Sequence, residues 1–412
     1  MARGTLTGHR DFRLLWGGET VSELGSQVSL LAIPLVAVDT LHATPFQMGA
    51  LAAAATVAFL VVGLPAGVWV DRRPRRRVMV ISDIGRVLAL GSIPAADALG
   101  LLHLAQLYIV ALVSGVFTVF FDIAYQSYLP SLVGREHLIE GNAKLTGSAE
   151  AAQIAGPSLA GALVQAIGGS YAVALDAVSF LVSAAAIGGI RTREQAPPAP
   201  DGGHRSLGRE VGEGLRFVFG NRMLRAITAT TATANLFSGF QIAIEVIFLV
   251  HVVHARPGII GLLFAAGGVG GVVAAVLASP IARVVGGARA TLLSSFAAVG
   301  GLLIPLATPG LGALFFGAGL VVSSFAAVVY NINQVSFRQQ LCADDMLGRM
   351  NASIRFIVYG VLPVGALTGG AVATVIGLRP TLWVAMSGQA VAGVWLLASP
   401  IRTMRDFPER AP

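Results

Sequence analysis

The chain has 412 residues, 55% of them hydrophobic and only 12% charged, with 50 glycines and a formal net charge of +7. A mean hydropathy of +0.76 leaves too little polar surface to cover a water-soluble fold of this length, so the composition excludes an ordinary soluble domain and makes lipid part of the solvent. Cys342 is the only cysteine, which excludes an internal disulfide and a thiolate metal cluster.

A hydrocarbon layer about 30 Å thick needs roughly 20 apolar residues per helix. Twelve such windows are predicted, near 14–38, 46–70, 78–99, 104–128, 145–167, 171–190, 226–250, 258–280, 290–307, 311–333, 354–376 and 381–399. The runs are continuous rather than alternating, which favours helices over a barrel, the other structure that satisfies its backbone inside lipid. Arg3, Arg10 and Arg13 before the first window imitate a signal peptide. The window is longer than such a core, contains Glu19 and Glu23 and meets no small-residue cleavage site, so it is expected to stay in the mature chain.

The basic residues fall on alternate connections: Arg72 to Arg77, Arg135 and Lys144, Arg191 to Arg225, Arg283 and Arg289, Arg338 and Arg349, then Arg402, Arg405 and Arg410. The opposite connections hold Arg256 and Arg379. The positive-inside rule then places both termini in the cytoplasm of a multi-pass protein of the cell inner (plasma) membrane, and assigns the net charge to topology rather than to nucleic acid.

Carboxylates within apolar helices are costly and are functional candidates by default. Glu19 and Glu23 stand one turn apart on the first helix. Two acids this close disfavour double ionisation, which makes them candidates for proton coupling, with a structural hydrogen bond for one of them as the alternative. Glu245, a turn beyond Gln241 on the seventh window, and Glu150 on the fifth are further proton candidates; pairing with a substrate cation is a rival role for Glu245. Asp83 and Arg86, spaced i, i+3, are expected to neutralise each other, and Asp176 to be paired structurally. Tyr125, Gln126, Asn235, Gln241, Asn331, Asn333 and Gln334 are candidates for a substrate cavity, with capping of an inner gate as the alternative for those on windows four and ten. His251 and His254 lack a third ligand, and no metal site is expected.

The stretch 191–221 contains EQAPPAPDGGH and is the expected cytoplasmic linker between a six-helix bundle at 1–190 and a second at 222–412 with a short cytoplasmic tail. Within it, Leu207, Val211, Leu215 and Val218 share one helical stripe, consistent with an interfacial helix or with a solvated lead-in to the seventh window. The halves repeat at a shift near 210 residues: Arg10, Phe12 and Arg13 return as Arg222, Leu224 and Arg225, Gln126 as Gln334, and Asn142, Gly156 and Gly161 as Asn351, Gly365 and Gly370. Such an offset is what a duplicated six-helix unit leaves behind.

GVWVDRRPRRR at 67–77 carries a glycine, an Asp-Arg pair four residues on and further arginines between the second and third windows. Gly67, Asp71, Arg72, Arg75 and Arg76 thereby resemble the loop motif of the major facilitator superfamily. WGGETVSELGSQ at 16–27 and VDRRPRRRVMVISD at 70–83 are similar to its drug:proton antiporter group, which includes macrolide efflux pumps and the enterobactin exporter. The resemblance implies an all-α membrane fold of twelve transmembrane helices in two pseudo-symmetric six-helix bundles. It implies a conformational latch of Gly67, Asp71, Arg72, Arg75 and Arg76 with Asp122 at the cytoplasmic end of the fourth helix. AQIAGPSLAG at 152–161 partly resembles the fifth-helix signature of exporters, which makes Gly156, Pro157 and Gly161 a gate helix, or ordinary small-residue packing.

Lys144 is the only lysine, and no Gly-Lys-Ser/Thr sequence is present, so no phosphate-binding loop for ATP is expected; nor is an enzyme. The expected function is secondary active transport: a proton-coupled exporter (antiporter) of small amphiphilic molecules such as drugs or natural products, by alternating access. The proton gradient is its energy source, without a cofactor. Its expected partners are the small-molecule substrate, protons and the lipid bilayer, and it is expected to be a monomer. A metabolite importer or uncoupled facilitator of the same fold is the alternative, and a non-transporting membrane sensor a remoter one.

Overall fold

A computed structural model of the chain describes residues 5–70, 72–192, 194, 207–341 and 344–407. The elements there are helices, in the order α1 Arg10–Leu35, α2 Pro45–Val70, α3 Arg75–Ala98, α4 Leu104–Val133, α5 Leu138–Ile167, α6 Gly169–Gly188, α7 Leu207–Gly220, α8 Arg222–His251, α9 Pro257–Val285, α10 Gly287–Ala297, α11 Leu314–Leu341, α12 Asp344–Ile376, α13 Leu378–Val391 and α14 Val394–Leu397. α1 continues as a π-helical turn over Val36–Thr40 and α10 as a 3-10 helix over Ala298–Leu306. Among the described residues, 11 helical spans are long and apolar enough to cross a membrane. α5 is not among them, although its 30 residues are long enough to cross; it carries Glu140, Lys144 and Glu150.

Two compact units are present. One comprises Met1–Ala43, Ala54–Gly202 and Arg256–Ala265, the other Thr44–Ala53, Gly203–Ala255 and Ala266–Pro412. The first turns of α2 therefore belong with the second unit and the first turns of α9 with the first. In the first unit α1 packs against α5 and α6, and α3 against α4 and α6. Its core at the arginine-rich end is Phe12, Leu15, Met79, Phe121, Tyr128 and Ile187. Asp11 ties down the exit of α6 by accepting from the backbone N–H groups of Arg191 at 3.1 Å and Thr192 at 2.8 Å and from the Thr192 hydroxyl at 2.6 Å.

In the second unit α8 packs against α12 and α13, and α11 against α10. α7 also packs on α8 and α12, with Val218 fully buried in a cluster with Leu224, Phe337 and Ile354. Its last turn is thus part of the packed unit, which neither an interfacial helix nor a solvated lead-in describes fully.

Close helix approach depends on missing side chains at a few places. A Cβ at Gly25 of α1 would strike Asp176 and Ser179 of α6, whereas one at Gly17 would meet nothing within 4 Å.

Candidate functional site: a carboxylate cluster around Arg86

The chain enters α1 and α3 and leaves α4 and α6 at the same, arginine-rich end. Counted from that end, Asp83, Glu19, Asp122, Arg86, Asp176 and Glu23 lie between 8 and 13 residues along their helices. At 1.5 Å per residue this is about 12–20 Å, near the middle of a hydrocarbon layer about 30 Å thick. Four helices thus place six ionisable groups within about 8 Å of depth.

Arg86 is the hub. It is 5% exposed, and its guanidinium lies over the rings of Phe121 at 4.5 Å and Phe180 at 3.9 Å. Its Nη2 donates to Asp83 Oδ1, and Asp83 itself is fully buried. Stacking on aromatic faces suits the planar, weakly hydrated guanidinium better than a compact ammonium. The pair expected from the i, i+3 spacing is therefore formed, but it is not isolated. Glu19, Glu23, Asp122 and Asp176 also lie within coulombic range of Arg86. Five carboxylates thus lie within electrostatic range of one cation, and one of them, Asp83, is in contact with it.

Glu19 also senses Glu23, Asp122 and Asp83, and Tyr125 lies within range of Glu19, Glu23 and Asp122 while stacking on Phe121 at 6.1 Å. Asp176 accepts from the Ser179 hydroxyl at 3.1 Å. Among the described residues, Glu19 Oε2 and Arg86 Nε are buried without a hydrogen-bond partner. Two like charges about 6 Å apart repel by about 3 kcal/mol at an effective dielectric of 20. Five anions around one cation are a poor arrangement unless protons or a cationic guest share the space.

The position of Asp122 corrects its expected place at the end of its helix. α4 runs through Pro130 to Val133, so Asp122 lies 11 residues before the end and within the cluster. Asp71 lies outside the described residues. Arg75 forms its ion pair with Glu194 at 4.0 Å, and Glu194 also accepts from the backbone N–H groups of Arg75 at 2.8 Å and Arg76 at 3.3 Å. The Arg76 guanidinium donates to the carbonyl of Ile187 at 3.0 Å and to that of Gly188. Arg72 is exposed, and a Cβ at Gly67 would meet nothing within 4 Å. Glu194 as the cap of α3 was hidden from sequence reasoning because it sits in the polar linker. The signal for Arg86 was present: a guanidinium in the middle of an apolar window.

α5 passes through Pro157 without interruption; Gly156 faces Gln27 of α1, and Gly161 lies against Gly261 of α9 within the first unit. Beside them the Gly258 N–H donates to Gln165 Oε1 at 3.1 Å. Glu150 and Gln126 are exposed.

In the second unit Glu245 ends a hydrogen-bonded row. Gln389 Nε2 donates to Gln241 Oε1 at 3.1 Å, and Gln241 Nε2 to Glu245 Oε2 at 3.0 Å. Asn235 donates to the Val358 carbonyl at 2.9 Å and Asn333 to the Val329 carbonyl at 2.8 Å, while Gln334 donates to Asn331 Oδ1 at 2.9 Å. Asn333 and Gln334 are buried and Asn331 is exposed. No group of three or more His, Cys, Asp or Glu side chains able to hold a metal ion occurs among the described residues.

Over 374 residues the chain is 25% identical to the "Multidrug efflux pump Tap" of Mycolicibacterium fortuitum, covering 87% of this chain and 88% of the relative. It is 23% identical over 395 residues to the "Enterobactin exporter EntS" of Salmonella choleraesuis (strain SC-B67), covering 94% and 90%. Among solved structures, a bacterial homologue of the iron transporter ferroportin in an inward-facing state superposes with a TM-score of 0.74 at 17% identity, covering 94% of this chain and 98% of that one. The nucleoside transporter NupG does so with 0.71 at 12%, covering 96% and 99%. These likenesses give the fold of a multi-pass transporter. Residues 15–366 match the family model of the Major Facilitator Superfamily, and the chain belongs to that superfamily.

Proposed function

We propose that the protein is a proton-coupled exporter of small amphiphilic molecules, working by alternating access, with the carboxylates around Arg86 as its proton-carrying site. The observation that carries this reading is the charge imbalance: one guanidinium against five acids at mid-membrane depth. Such a cluster changes its charge by taking up a proton, and a change of charge in a low-dielectric site biases a two-state equilibrium between conformations.

Glu19 and Glu23, one turn apart on α1 and facing the other acids, are the proton carriers. Asp83 holds Arg86, Asp176 is tied to Ser179, and Tyr125 places its hydroxyl among the acids. The row Gln389–Gln241–Glu245 is assigned to substrate, with two amides orienting one carboxylate toward a cationic or hydrogen-bonding group. The loop arginines and Asp71 remain the proposed latch, with Glu194 fixing the position of Arg75. Direction outward is supported by the functions that the relatives' names carry, an efflux pump and an exporter.

The test is efflux of a panel of fluorescent amphiphiles from a pump-deficient host, with and without an ionophore that collapses the proton gradient. Glu23→Gln is expected to abolish gradient-driven efflux of every compound, and Glu245→Gln to alter which compounds are expelled. Efflux unchanged by both substitutions refutes the assignment, and flux that persists without a gradient identifies a facilitator.

A further inference from the structure

Between the start of α3 and the end of α6 lies a recess of 490 Å³ lined by Arg76, Arg77, Arg191, Val80, Ile81 and Glu194, among others. We propose that it binds the headgroup phosphate of an anionic phospholipid of the cytoplasmic leaflet. The proposal rests on the topology given by the positive-inside reading and is independent of the coupling mechanism.

Three guanidiniums line the recess against one carboxylate. That carboxylate is committed elsewhere, since both Glu194 oxygens accept from the first N–H groups of α3. Arg76 is likewise committed to the last carbonyls of α6. The side chains of Arg77 and Arg191 are exposed and have no partner among the described residues. Two exposed guanidiniums without a partner among the described residues line one recess, and phosphate oxygens match the guanidinium fork. Basic pockets between helices at the cytoplasmic surface hold lipid headgroups in this way.

The apolar side of the recess decides between a lipid and a soluble phosphate. Ile81, Ile84 and Leu88 follow one another at i, i+3 and i+7 on α3 and are 59%, 44% and 71% exposed. They form an oily stripe running from the recess toward the depth of the hydrocarbon. A phosphate with acyl chains satisfies both parts, while inorganic phosphate leaves the stripe unused.

Purified protein in detergent is titrated with phosphatidylglycerol, phosphatidylcholine and inorganic phosphate, and bound lipid is counted by native mass spectrometry. The parent is expected to retain phosphatidylglycerol selectively, and Arg77→Gln with Arg191→Gln to weaken it about thirtyfold. Arg191→Gln alone, beyond the end of α6, keeps the test informative if the double variant does not fold. Arg283→Gln, in the other unit, removes the same charge and is expected to bind as the parent does. Retention unchanged in the Arg77 and Arg191 variants, an equal loss in Arg283→Gln, or equal saturation by inorganic phosphate would each overturn the proposal.

Discussion

At the scale of single residues, Arg86 is one half of a buried ion pair with Asp83. Removing one partner of a buried pair leaves the other charge stranded, at a cost of about 3–5 kcal/mol, whereas replacing both with apolar groups is often neutral. Arg86→Gln is therefore expected to lower the thermal unfolding midpoint strongly and to abolish transport. Asp83→Leu combined with Arg86→Met removes both members of the pair but leaves four acids without their cation, so it is expected to recover part of the midpoint and none of the transport. A double variant that recovers transport as well would reduce Arg86 to a structural role. Glu19→Gln and Glu23→Gln remove a charge without removing volume, so both are expected to keep the parent's midpoint and to lose gradient-driven efflux. A loss of folding in either, seen by size-exclusion chromatography, would make that residue a structural member of the cluster.

At the scale of helices, fit depends on what is missing from α1 and on what caps α3. Overpacking a tight contact costs about 1–3 kcal/mol, so Gly25→Val is expected to lower the unfolding midpoint by forcing α1 away from Asp176 and Ser179. Gly17→Ala, on the open face of the same helix, is expected to leave it unchanged or raise it slightly. Glu194→Ala removes the acceptor for two backbone N–H groups at the start of α3, at a cost of about 0.5–2 kcal/mol. The backbone amides of Arg75 and Arg76 are then expected to exchange hydrogen faster in mass spectrometry; unchanged protection would show the cap to be dispensable.

These elements also show what was legible in the sequence. Apolar run length located the spans because lipid imposes a length on a helix, and the i, i+3 rule found Asp83 with Arg86 because their partnership is local. The gathering of Glu19, Asp122 and Asp176 around that pair was not legible. It depends on helix rotation and on how far α4 continues beyond Asp122, and neither is encoded in local spacing. Glu194 was hidden for the same reason, since its partners are more than 100 residues away in sequence.

At the scale of the whole molecule, an apolar chain keeps five acids and one arginine deep within its helices, where ions are expensive, and proton exchange is the use proposed for that charge imbalance. On the proposed function, Glu19 and Glu23 carry the protons that drive efflux. The most direct measurement is proton movement by the purified protein in liposomes, followed with a trapped pH indicator while a transported fluorescent amphiphile is added to one side. The account expects substrate-dependent proton movement in the opposite sense to the amphiphile in the parent, and none in the Glu19→Gln, Glu23→Gln double variant. Amphiphile flux without proton movement in the parent, or undiminished proton movement in the double variant, would contradict it.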